Sequence, residues 1–129
     1  LRRRWTDAAV AGKRYSCSTF MLYLGVEGTF DQLAHHNIYV AADYRRNLED
    51  IEERHVLTED PSFYVENPSR TDDTMAPPGH SALYVLLPVS HQHPNIDWAR
   101  ERSRYRQVAL RQVCSKAQHF FSRATATVQ

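Results

Sequence analysis

Glycine is scarce in this chain. There are four in 129 residues, Gly12, Gly25, Gly28 and Gly79. They do not form G-x-G-x-x-G between a strand and a helix, the arrangement that lets backbone N–H groups approach a pyrophosphate. Gly25 and Gly28 follow a strand pattern but lead into Thr29-Phe30-Asp31, not into an amphipathic helix. A dinucleotide cradle is therefore not expected within these residues. Cysteine is equally sparse: Cys17 and Cys114 alone, with no signal-peptide pattern, argue for a reducing compartment and against a disulfide framework. No apolar run reaches the roughly 20 residues that span a bilayer. Net charge is +1, which gives no general attraction to nucleic acid, and no nucleic-acid partner is expected.

The rest of the composition is that of one globular domain, 42% hydrophobic and 24% charged. A chain of this length buries roughly 65–70% of its unfolded surface, enough for one modest core. The charge is segregated. Arg2, Arg3, Arg4, Lys13 and Arg14 face only Asp7 near the start. Residues 43–60 hold seven acids against Arg45, Arg46 and Arg54, and residues 97–116 hold six bases against Asp97 and Glu101. Such blocks read as solvated helix faces. The alternative is a basic surface for a membrane or nucleic acid.

Periodicity divides the chain into seven elements. Residues 1–12 read as a helix with Leu1, Trp5, Ala8 and Ala9 on one stripe and Gly12 as its stop. Residues 15–24 read as a strand in which both alternating sets turn apolar toward Leu24, the mark of a central strand buried on two faces. Residues 37–42 give a second strand. A helix follows over 44–55, with Tyr44, Leu48 and Ile51 on one side. Residues 62–66 and 81–89 are further strands, and Pro88 marks an edge or an end. Pro68 to Gly79, with three prolines and a glycine, is a long loop without regular structure, and its length suggests a function. Asp97 caps a last helix whose stripe is Trp98, Tyr105, Val108, Ala109 and Val113. The order α, β, β, α, β, β, α lacks βαβ alternation. The fold class is α+β: a mixed, mainly antiparallel sheet of about four strands with helices on one face.

Chemistry-bearing clusters are few. His35-His36 and His91-x-His93 have suggestive spacing, with His80 as a further candidate. Neighbouring histidines on extended backbone point to opposite sides, however, and no third ligand lies nearby in sequence, so no metal site is expected. Cys17 reads as a small core hydrophobe. Ser62 lacks the glycines of a nucleophile elbow. Glu52-Glu53 is a solvated pair, and Thr71 and Asp72 belong to the proline-rich loop, which Asp72 fixes through local turn bonds. The aromatics are the remaining signal. Tyr15, Phe20, Tyr23, Tyr39, Phe63, Tyr64 and Tyr84 fall on the strand segments, where rows of side chains build a core or line a tunnel for a flat apolar ligand.

Several segments resemble those of the bacterial phytoene desaturase (carotenoid desaturase) family. YSCSTFMLYLGVEG at 15–28 is similar to the strand that opens the middle substrate-domain segment of those enzymes. DYRR at 43–46, DPSFYVENPSRTD at 60–72 and APPGHSALYVLLP at 76–88 resemble the segments that follow, as do Ile96-Asp97-Trp98 and Tyr105-Arg106. The resemblance covers about residues 5–113 and marks residues 1–113 as a substrate-binding domain segment; residues 114–129 depart from it as a divergent tail. It implies part of an FAD-dependent oxidoreductase that dehydrogenates an apolar polyene by hydride transfer to flavin. FAD belongs to the intact enzyme and to a separate FAD-binding domain, and none is expected on this chain. It implies a cytoplasmic protein in peripheral contact with a membrane. Phe20, Leu22, Tyr64 and Tyr84 are the candidate substrate-binding residues, and Thr71 and Asp72 fix the loop. Catalytic residues are not assigned, and the chain alone is expected to be inactive. The chain opens on Leu1 within a charged helical pattern, which reads as the interior of a longer polypeptide. The alternative is a free-standing α+β ligand-binding or interaction module without redox activity.

Overall fold

The computed structural model describes residues 4–121, with side chains for residues 4–116. The elements are α1 (Asp7–Ala11), β1 (Ser18–Glu27), β2 (His36–Tyr39), α2 (Tyr44–Glu52), β3 (Phe63–Glu66), β4 (His80–Val89) and α3 (Trp98–Phe121). Their order is the one expected. The four strands form one sheet in the order β1-β4-β3-β2, with every pairing antiparallel.

The sheet has one covered and one open face. Alternation along β4 places Ser81, Leu83, Val85, Leu87 and Val89 inward, all buried. Register sets Phe20 opposite Leu87, Leu22 opposite Val85 and Leu24 opposite Leu83 on that same face. The α3 stripe of Tyr105, Val108, Ala109 and Val113 seals it, as its spacing foretells. Phe20 stacks on Trp98 at 5.8 Å between ring centroids and meets Tyr105 edge-on at 5.3 Å. A satellite cluster of Phe30, Leu33 and Leu83 packs beneath the segment joining β1 to β2.

Caps account for the helix boundaries. Thr6 accepts from the Ala9 N–H, Asp43 from Arg46, and Asp97 from Ala99. In α2, Asp50 is buried and accepts from both Arg46 and Arg54, one turn away on either side. Glu59 accepts from Arg104 and Arg111 while its carbonyl accepts from Gln112, tying the loop before β3 to α3.

Several expectations need correction. β1 is an edge strand, not a central one. Its second apolar set, Met21 and Tyr23, is exposed on the open face, so a two-sided apolar pattern arose here without two-sided burial. Cys17 is exposed just before β1, and Tyr15 also precedes that strand, donating its hydroxyl to the Val10 carbonyl. Nothing in α1 is buried, and Trp5 lies exposed beneath Lys13. Leu1 lies outside the described residues. The loop from Pro68 to Gly79 contains two 3-10 turns, Pro68–Arg70 and Asp73–Met75. Proline enters the first at its start, and the Asp72 carboxylate caps the second through the Thr74 N–H and hydroxyl. α2 does not join α3 on the covered face; it walls a groove together with residues of the open one. α3 continues past residue 113 to Phe121, and residues 122–129 of the expected tail lie outside the described residues.

Candidate functional site

The open face is the main candidate. On it, Tyr23 of β1 lies directly across from Tyr84 of β4, and Met21 from Leu86. The next strand brings Tyr64 beside Leu86, and the outermost brings Ile38 beside Tyr64. The outcome is a band of aromatic and aliphatic side chains across all four strands. Tyr23 is 74% and Ile38 78% exposed. A contiguous apolar area of this kind marks a surface that meets another apolar body.

Toward β2 and β3 the band deepens into a groove of about 330 Å³. Its walls include Ile38, Val40, Tyr44, Leu48, Tyr64 and Pro88. Asn47 of α2 also lines it. That residue is 3% exposed; its side-chain oxygen accepts from the Ser62 N–H at 2.9 Å, which fixes the amide orientation and leaves the buried Nδ2 without a partner.

Of the four residues expected at the substrate, Tyr64 and Tyr84 lie together on the open face, their rings 6.2 Å apart. Phe20 and Leu22 lie on the covered face, Leu22 buried and Phe20 packed against α3. Even-numbered positions of β1 point to α3 and odd-numbered ones to the open side, so these two pairs belong to opposite surfaces. Met21, Ile38 and Leu48 were not singled out as site residues from sequence, and Tyr23 was named only among the strand aromatics that build a core or line a tunnel. The signal for them was the second apolar set of β1 and the apolar stripe of α2. Thr71 donates its hydroxyl to the Pro68 carbonyl and accepts from His35, and Asp72 holds Thr74. Hydrogen bonds from the Thr74 hydroxyl and N–H hold the Asp72 carboxyl below its ordinary value.

Titratable groups gather at the rim. His36 Nδ1 lies 2.6 Å from the Tyr64 hydroxyl, and His35 Nε2 lies 3.2 Å from Glu66 Oε1. Desolvation and the charge of Glu66 push the Tyr64 phenol up. The expectation that His35 and His36 diverge is overturned: their rings meet edge-on at 4.3 Å. His35 precedes β2, so strand alternation does not govern it, and Thr71 draws it toward Glu66. A second histidine group lies just beyond β4. His93 stacks on His55 at 4.0 Å, and His91 meets His55 edge-on at 5.1 Å. His80, at the other end of β4, bonds only locally, to the Pro78 carbonyl.

Gly25 and Gly28 do not build a phosphate cradle between a strand and a helix. Gly25 sits within an edge strand, and Gly28 donates to the Gly79 carbonyl at 2.7 Å, closing the ladder end instead of opening a helix. Among the described residues, no helix is long and apolar enough to cross a membrane.

No protein-family model matches the chain. Known proteins do. Over 93 residues it is 50% identical to a zeta-carotene-forming phytoene desaturase of Myxococcus xanthus, a match covering 72% of this chain and 18% of that protein. Over 108 residues it is 44% identical to a 4,4'-diapophytoene desaturase (4,4'-diapolycopene-forming) of a Methylomonas species, covering 84% and 21%. Over 90 residues it is 39% identical to a phytoene desaturase of Neurospora crassa, covering 67% and 15%. The chain thus spans about a fifth of the length of the relatives it matches.

Proposed function

Because this chain is homologous to a segment of the phytoene and carotenoid desaturases, we propose that it forms the substrate-binding part of such an oxidoreductase. The open sheet face is one wall of the cavity that receives the polyene. Tyr64 and Tyr84 touch the chain of conjugated carbons; Phe20 and Leu22 back that wall from the covered side. The observation that carries this reading is the uncovered aromatic face, apolar across four strands, in a fold whose other face is already sealed.

A flat polyene suits such a face. It offers no hydrogen bonds, so its recognition rests on apolar area and ring contact. FAD and the hydride-accepting chemistry belong to polypeptide beyond these residues. The peripheral membrane contact is assigned to the basic side chains outside the open face. Arg100, Arg104, Arg111 and Lys116 of α3 are already in ion pairs, which leaves them less charge for lipid.

The test uses the intact protein that carries this segment, supplied with phytoene in liposomes, with conversion followed by chromatography. Tyr84→Glu and Tyr64→Glu, which put a charge on the open face, abolish conversion while the fold, read by circular dichroism, persists. Conversion at the unaltered rate in both variants overturns the reading.

A further inference from the structure

His36 faces Glu66 directly in the β2–β3 register, and His35 reaches the same carboxylate from the residue before β2. One donor atom from each of the three lies within 4.8 Å of the other two. Tetrahedral zinc, with ligand bonds near 2.1 Å, sets its donors about 3.4 Å apart. The His35–Glu66 edge, at 3.2 Å, already has that spacing. Only His36 has to close in, and its side chain is exposed.

The hydrogen bonds around the cluster set the rings for ligation. Thr71 Oγ1 donates to the Pro68 carbonyl, so its oxygen accepts the Nδ1–H of His35 at 2.6 Å. The His35 Nε2 lone pair is then left toward Glu66. At His36, Nδ1 engages the Tyr64 hydroxyl at 2.6 Å. A ligating histidine ordinarily donates its other ring N–H to an oxygen acceptor, the role that Thr71 Oγ1 fills at His35.

We infer that His35, His36 and Glu66 form a divalent transition-metal site of the two-histidine, one-carboxylate type, with zinc as its best-fitting ion. Its remaining positions are open to water. A bound ion joins the start of β2, the end of β3 and, through Thr71, the loop from Pro68 to Gly79. The inference stands apart from the proposed function and needs neither polyene nor flavin.

The experiment titrates the full chain, stripped with chelator, with zinc alone and with cobalt(II) as a spectroscopic probe. The expected result is one ion per chain, with visible cobalt bands and zinc absorption spectra that read two imidazoles. His35→Gln, His36→Gln and Glu66→Gln each weaken binding at least tenfold. Thr71→Val, which touches no ion, weakens it roughly 10- to 100-fold. His93→Gln leaves affinity unchanged. Circular dichroism of the metal-free variants matches that of the parent, because His36 is exposed and His35 and Glu66 are only partly buried. Binding lost in His93→Gln and kept in His36→Gln would move the ion to the second histidine group and overturn the inference. Failure of the parent chain to bind zinc below millimolar concentration also overturns it.

Discussion

Tyr23 and Tyr84 face each other across the β1–β4 ladder on the open side, their ring centroids 5.2 Å apart and tilted by 58°. One residue further along the same two strands, Leu22 and Val85 face each other on the sealed side and are buried. One ladder therefore carries two apolar surfaces with different tasks. The Tyr84 hydroxyl donates to Met21 Sδ at 2.9 Å, so the open face is partly ordered by its own contacts.

The two faces should respond differently to truncation. Leu87 is fully buried against α3. Leu87→Ala is expected to destabilise the fold by about 2–5 kcal/mol, through lost transfer energy and a residual cavity. Tyr23→Ala, on the open face, should change stability by no more than about 0.5 kcal/mol. Urea unfolding of both variants measures the contrast. Equal losses would mean that the open face is covered within the folded chain.

Gly79 enters β4 with φ of +77°, and its carbonyl accepts from Gly28, itself at φ of +103°. There is open space where a Cβ would stand at Gly79, so the cost of Gly79→Ala is conformational and not steric. It is expected to be about 1–2 kcal/mol, the penalty for an L-residue in the left-handed region. Thermal unfolding measures it. Gly25→Ala, in ordinary strand geometry with equal space, should show no such loss.

His93 titrates below the ordinary histidine value of 6.5, first through desolvation and then through the charges of His55 and His91. The folded chain thus binds fewer protons here than the unfolded chain. This contribution to stability is complete above about pH 6.5 and fades as the pH falls through the depressed value. His55→Gln removes one neighbouring charge and should move the His93 midpoint upward. Imidazole NMR titration reads it directly; an unmoved midpoint would discount the influence of His55.

The fold was legible where a single period decided it. α3 reads from Trp98, Tyr105, Val108, Ala109 and Val113 because helical spacing alone puts them on one side, and all four strands were found within a few residues of their bounds. The placing of β1 was not legible. Its two apolar sets are compatible with a central strand or with an edge strand bearing an uncovered apolar face, and strand order is needed to tell these apart. The same reason divides the four residues named for the substrate: Tyr64 and Tyr84 fall on the open side and Phe20 and Leu22 on the covered one, which strand order and not alternation decides. The meeting of His35, His36 and Glu66 was invisible, since it joins a residue outside strand alternation to one 31 positions away.

The sequence by itself determined which segments are helical or extended, where caps end them, and which desaturase segments the chain resembles. These depend on local period, on capping side chains and on residue identity. The tertiary structure decided strand order, and with it which apolar face α3 seals and which stays open. Side-chain alternation tells two faces apart but does not say which of them a helix far along the chain will cover.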